Sequence, residues 1–414
     1  MTTFRLLCAF AAIFGYAIAQ MDVDTAFLVS DIPDDTNIAL RPPDGTIVML
    51  NKSIYGLRIS SNLFNAVLDE FLRSYGLEPS ATDPCLYRCD GLFVLTLVDD
   101  IAIFYKDSSI LESFKTAISA RFSMKDLGRL EWFAGIKVDY PGNGAIKLSQ
   151  PALATEIVQA ISGDSALTPI STPADKSWQP DPECTTPSAA AFNPRRIVGK
   201  LIYLTQTRFD LTTITSMLAR TAAGPLTQHD EAAYTRVARY LSATINLGLT
   251  YMPGGGTLTL KLYSDSDWAA GVFTRRSRTG MTAMINSCAI AVNTKLQSTV
   301  AGPSGEAEYM ALYHTVPLGV MLQQLCAFIG TPQRPVAVYC DSTTALAVGR
   351  NPRLRSLMRH VAIKYHFVRE RSTNGDIALE HVGTTDCLAD LATKCLPTTA
   401  FTTLRDATMN VLPD

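Results

Sequence analysis

Asp99 and Asp100 stand side by side in the middle of an apolar stretch, residues 92–105. The flanks are rich in β-branched and aromatic residues, which predicts two short strands joined by a tight turn. Two anions at such a turn repel each other and lose hydration. The pair makes sense against a cation, and a hard divalent metal with oxygen ligands is the first candidate. Asp is also a common turn residue, so a solvated hairpin tip is the competing reading. A second set of acids lies in the last third of the chain. Asp265 ends a strand-like run, Glu308 opens a long helical pattern, Asp341 follows Val-Tyr-Cys, and Asp390 lies nine residues after His381. Each alone reads as a cap or a turn. Strand ends and helix starts are where ligands gather in an α/β sheet, so the four together predict one cluster. Four such carboxylates need cations, and a metal pair there would support in-line displacement at a phosphodiester. Asp267 and Glu306 are close neighbours that could stand in for Asp265 and Glu308.

Positive charge is local. The formal net charge of the 414 residues is −2, which excludes a strongly basic nucleic-acid reader and leaves room for a basic groove. Arg350, Arg353, Arg355, Arg359, Lys364, Arg369 and Arg371 share their stretch with one acid, Glu370. They form a candidate phosphate-tracking surface, or an ordinary solvated face. Arg275, Arg276 and Arg278 form a smaller candidate. Nine scattered cysteines suit free thiols in a reducing compartment better than a disulfide framework. Cys85 and Cys89 lack the further ligands that a structural zinc site requires.

The elements that must position these groups follow from periodicity. Helices are expected over residues 63–77 and 111–122, and strands over 132–139 and 145–148. Six prolines between Ser165 and Pro194 mark an extended linker. Helices resume over 197–204 and 231–241, and Gly254-Gly-Gly256 marks a boundary. The last third reads βββαβαβ plus a helix, a mixed-sheet arrangement. Its strands are expected over 258–263, 280–286, 288–294, 336–340 and 377–382, and its helices over 306–328, 343–348 and 387–394. The N-terminus is ambiguous. Arg5, the apolar run Leu6 to Ile18 and Ala17-Ile-Ala19 resemble a secretory signal, and the alternative is a buried helix, residues 3–19, feeding a strand.

A dozen motifs in order resemble the polymerase region of copia-type LTR retrotransposons. Gln20-Met-Asp-Val-Asp-Thr-Ala-Phe-Leu28, Ser53-Ile-Tyr-Gly-Leu-Arg58, Asp83-Pro-Cys-Leu-Tyr87, Leu97-Val-Asp-Asp100, Met124-Lys-Asp-Leu-Gly128 and Thr207-Arg-Phe-Asp-Leu211 carry the first half. Tyr263-Ser-Asp-Ser-Asp-Trp-Ala269, Glu306-Ala-Glu-Tyr-Met-Ala-Leu312, Val338-Tyr-Cys-Asp-Ser342 and Leu388-Ala-Asp-Leu391 resemble the family's ribonuclease H segments. The resemblance implies a truncated palm-type polymerase domain, an α/β (α+β) fold, followed by a helical connection and a ribonuclease H-like mixed-sheet domain. The implied boundaries are 1–165 for the palm, 166–194 for the linker, 195–256 for the thumb or connection, 257–400 for the nuclease and 401–414 for a tail. It makes Asp22, Asp99 and Asp100 the polymerase acids, and Asp265, Glu308, Asp341 and Asp390 the nuclease acids. Each set would hold two Mg²⁺ ions, with Mn²⁺ as a substitute. The implied partners are RNA template, DNA primer, deoxynucleoside triphosphates and RNA–DNA hybrid, in an intracellular protein without a membrane span. The family's basic fingers would precede Thr3, and Leu97 replaces an aromatic residue before Val-Asp-Asp. Ile59 and Phe209 depart similarly. These departures predict a truncated copy with an impaired polymerase and a more complete nuclease. The alternatives are an inactive nucleic-acid-binding remnant and a secreted non-enzyme.

Overall fold

A computed structural model of the chain describes residues 1–163, 165–181, 183–271, 274–350 and 362–411, with side chains for all of these except 362–366. The chain divides into two compact units, residues 15–134 and residues 1–14 with 135–414.

The unit of residues 15–134 is built on a six-stranded antiparallel sheet. Its order is Glu78–Pro79, Leu86–Cys89, Leu92–Leu97, Asp100–Tyr105, Ala17–Val23 and Met124–Arg129. Strand alternation divides its faces. Ala19, Met21, Val23, Val94, Ile101 and Ile103 point into one core, where Phe64, Leu68 and Leu72 of the helix Ser60–Ser74 and Phe114 and Ile118 of the helix Ser108–Arg121 meet them. Both helices start before the expected residues. The second is capped by Asp107, whose carboxylate accepts from Ser109 N. The opposite face carries Gln20, Asp22 and Asp100.

The second unit begins with the helix Thr2–Phe14, whose residues Thr3 to Ile13 are all buried. It ends earlier than expected because Gly15 takes a left-handed φ of 68°, which closes a helix at low steric cost. Arg5 is interior. Its Nε donates to Ile290 O at 2.6 Å, Nη1 donates to Gln206 O at 2.9 Å, and the guanidinium lies 5.2 Å from the Phe209 ring centre. Among the described residues no helix is long and apolar enough to cross a membrane. The strand expected over 132–139 is broken by left-handed Ala134 and Gly135 into Trp132–Phe133 and Ile136–Gly142. Ala174 and Trp178 of the proline-rich stretch pack on the core formed by the helices Pro151–Ser162, Pro194–Leu204, Thr212–Leu218 and Gln228–Ala243. Beside it lies a buried network: Arg208 Nη2 donates to Asp210 at 2.7 Å and Tyr240 donates to the same carboxylate at 2.5 Å.

The last third forms a five-stranded mixed sheet ordered Cys288–Leu296, Arg278–Ile285, Leu260–Asp267, Val336–Cys340 and Ile377–His381. The first three are antiparallel neighbours, and the last two run parallel to Leu260–Asp267. The 25-residue helix Ser304–Phe328 packs across it. Two helices, Thr343–Arg350 and Ala362–Thr373, join the parallel strands where one was expected. The helix expected over 387–394 is instead a pair of 3-10 turns, Thr384–Asp386 and Leu388–Ala392.

Candidate active sites: two clusters of carboxylates

Leu97 pairs with Asp100, so only Val98 and Asp99 lie in the hairpin loop. Two-residue hairpin loops need φ above zero at the first position, because only that backbone twist matches the strands. Val98 supplies it with φ 58°, an outlying conformation for a β-branched side chain. Strain of this kind persists where surrounding structure fixes it, and here it brings the acids to the tip. The neighbouring strand places Asp22 directly across from Asp100, and Val23 N donates to Asp99 O at 3.1 Å. Asp22, Asp99 and Asp100 are thus brought together. Partial burial, then the charges of Asp99 and Asp100, push the Asp22 carboxyl up. Burial and Asp99 do the same to Asp100, against a 3.2 Å hydrogen bond from Gln20 Nε2. Lys125, across the strand pair from Asp22, is engaged by Asp24 at 2.7 Å.

The second cluster is deeper. Ser264 pairs with Cys340 across parallel strands, which sets Asp265 and Asp341 at the same sheet end. Asp265 is not the last residue of its strand, which continues to Asp267. Glu308 points in from the second turn of the long helix. Ligand atoms of Glu308, Cys340 and Asp341 lie within 4.8 Å of one another. Asp390 arrives on the turn Leu388–Ala392. Asp265 is 1% exposed, Asp390 7% and Glu308 9%. Burial, then Asp265 and Asp341, push Glu308 up to about 9. Burial and then Asp265 push Asp390 up to about 7. The structure also separates the neighbours that sequence left open. Glu306 accepts from Gly302 N at 2.9 Å, in the segment leading into its helix, while Glu308 enters the cluster. Asp265 receives Thr393 Oγ1 and Lys394, whereas Asp267 sits at the strand end opposite Arg278.

Residues that sequence reasoning passed over hold this cluster. Thr384 Oγ1 donates to Asp341 Oδ2 at 3.0 Å, and Lys394 pairs with Asp265 and Asp390. Gly280 lets the Asp390 turn approach the sheet: a Cβ there would meet Ala389 O at 2.6 Å. The spacing from Asp390 to Lys394, four residues, was the one signal available for the lysine. Hard oxygens converge in both clusters and outnumber the cations beside them, a donor set that fits a divalent metal. The nine cysteines are free, and among the described residues Cys85 and Cys89 join no metal-ligand group.

The arginines divide. Arg275 and Arg276 are exposed. Arg278, expected beside them on a phosphate-tracking surface, is 5% exposed and donates to Ser216 Oγ at 2.8 Å. Its strand position turns it inward, out of reach of a solvent-borne phosphate. Arg369 donates to Val348 O at 3.1 Å, and Arg371 pairs with Asp376 at 3.2 Å. Arg353, Arg355 and Arg359 lie outside the described residues, as does the Lys364 side chain.

Residues 1–174 match the protein family described as reverse transcriptase (RNA-dependent DNA polymerase). The Retrovirus-related Pol polyprotein from transposon RE1 of Arabidopsis thaliana is 31% identical over 97% of this chain and 28% of that polyprotein. The putative transposon Ty5-1 protein of Saccharomyces cerevisiae is 30% identical over 72% of this chain and 99% of that protein. The chain belongs to the copia-type retrotransposon Pol family, and its N-terminal part is a reverse transcriptase domain. It spans about three tenths of the length of the plant polyproteins it matches. Its fold is similar to that of the foamy viral protease-reverse transcriptase solved with RNA/DNA hybrid, with TM-score 0.55 and 12% identity over 92% of this chain and 45% of that one.

Proposed function

We propose that the chain carries two phosphoryl-transfer sites, one extending a DNA primer on an RNA template and one cutting the RNA of an RNA–DNA hybrid. The observation that carries this reading is the convergence of two separate carboxylate sets, each with more acids than cations beside it, in a reverse transcriptase family chain. In the first, Asp22, Asp99 and Asp100 would hold Mg²⁺, with Mn²⁺ as a substitute. In the second, Asp265, Glu308, Asp341 and Asp390 would do so, in a ribonuclease H-like domain over residues 257–400. Bound divalent ions would lower the pKa of the attacking hydroxyl or water and neutralise charge on the leaving oxygen. The protein's part is orientation. Gln20 fixes the Asp100 carboxylate, Thr384 fixes Asp341, and Thr393 fixes Asp265. Arg275 and Arg276, both exposed, would meet phosphates of a template, primer or hybrid.

The nuclease half is the stronger activity. Leu97, 40% exposed beside the hairpin acids, stands where the family has an aromatic ring, so it cannot stack on a base or ribose. The test pairs two assays on the full chain: cleavage of a labelled RNA–DNA hybrid and extension of a DNA primer with deoxynucleoside triphosphates. Asp341→Asn should remove cleavage alone, and Asp100→Asn extension alone. Salt-sensitive hybrid binding with no turnover in Mg²⁺ or Mn²⁺ would replace this reading with that of an inactive binding remnant.

A further inference from the structure

The four-carboxylate cluster contains a cation of its own. Lys394 Nζ lies 2.9 Å from Asp390 Oδ1 and 3.3 Å from Asp265 Oδ2. Thr393, the preceding residue, donates its hydroxyl to the same Asp265 oxygen. Both residues leave from the turn that carries Asp390, and Thr213 Oγ1 anchors that turn through Leu391 O at 2.7 Å. The ammonium is therefore delivered by the fold and not by a wandering surface chain. It sits on one side of the cluster. Glu308 and Asp341, on the other, have no cation within ion-pair distance among the described residues.

We propose that Lys394 is a resident counter-ion that holds Asp265 and Asp390 together before metal arrives, and that a divalent cation entering this half must displace its ammonium. The proposal rests on the reading of the four acids as metal ligands. An ammonium about 3 Å from both carboxylates occupies the space and the negative potential that an incoming dication needs, and the two cations repel steeply at such range. The cluster therefore loads in unequal halves. The Glu308–Asp341 side binds first. The Asp265–Asp390 side binds at higher metal concentration, as the flexible lysine stem swings its head group out to water.

The test counts bound Mn²⁺ by electron paramagnetic resonance in the full chain carrying Asp99→Asn and Asp100→Asn, so that the hairpin acids do not contribute. Lys394→Met should tighten the weaker Mn²⁺ equivalent by about tenfold, because a unit charge a few ångströms from the ion is gone. In chelator the same variant should melt below its parent, and saturating Mn²⁺ should close the gap. Lys394→Arg, which keeps the charge, should behave as the parent does. Should Lys394→Met fail to fold without metal, Lys394→Gln is read by the same criteria. Equal or weaker Mn²⁺ binding in the neutral variant, or a metal-induced melting shift no larger than the parent's, overturns the proposal. Asp341→Asn separates the two failures. If it lowers Mn²⁺ binding while Lys394→Met changes nothing, the counter-ion role alone falls; if it leaves Mn²⁺ binding intact, the four-acid reading falls and takes the proposal with it.

Discussion

Gly280 carries a demand that a single methyl group would break. It sits across the antiparallel pair from Asp265, and its backbone is not left-handed, so what it supplies is space. A Cβ at this position would lie 2.6 Å from Ala389 O, 2.5 Å from Thr393 Cγ2 and 3.1 Å from Ala392 Cβ, where ordinary contact begins at 3.4 Å. Thr393 could rotate, but its hydroxyl would then leave Asp265. Ala389 O is backbone and can retreat only with its turn, by about 0.8 Å if contact is to be restored to 3.4 Å. Overpacking of this kind costs about 1–3 kcal/mol. The displacement also falls on the chemistry, because Asp390, Thr393 and Lys394 ride on that turn, and a misplacement near 1 Å costs about 100-fold in rate. Gly280→Ala is expected to lose about 1–3 kcal/mol in denaturant unfolding and to bind Mn²⁺ more weakly. Its hybrid cleavage should fall by about 100-fold, while primer extension is unchanged. A variant with parental stability and parental Mn²⁺ affinity would refute the claim that this contact positions Asp390.

Two further outcomes follow from the same geometry. Glu308 and Asp390 hold protons in the folded protein that the unfolded chain releases near their ordinary values of 4.5 and 3.8. Raised carboxyls favour the folded state only while protonated, so in chelator the melting temperature should decline as pH rises from about 4.5 to about 9. Glu308→Gln should flatten the upper part of that slope, and an unchanged slope would remove Glu308 as its source. At the hairpin, Val98→Asn should raise stability by about 1 kcal/mol in denaturant unfolding, since Asn tolerates a left-handed backbone better than a β-branched residue does. A loss of stability would show that the Val98 side chain contributes more than its backbone strain costs.

Much of the site was legible because its signals are local. The apolar flanks of Asp99 and Asp100, rich in β-branched and aromatic residues, placed the hairpin, and the strand at Val336–Cys340 fell where its apolar run predicted. Helix ends were missed by a few residues where a cap decided them, as at Asp107 and Gly15. The turn Leu388–Ala392 reads as a helix from sequence because five residues hold little more than one helical period, too few to test it, and packing against Gly280 fixes their path. The two arginine groups could not be ranked from composition. Arg278 differs from Arg275 and Arg276 only in where its strand turns it.

By itself the sequence determined which residue types were available and which elements carried them: seven acids, two short strands joined by a tight turn, a mixed sheet with a long helix. Those properties depend on neighbours a few positions away, where periodicity and turn chemistry act. Only the tertiary structure decided that Glu308 and not Glu306 faces Asp265, that Arg5 is an interior anchor, and that Lys394 stands among the acids. Asp265 and Thr393 are 128 positions apart in the chain. Their meeting depends on strand register and on the close approach of a turn to a glycine, and neither leaves a period in the sequence.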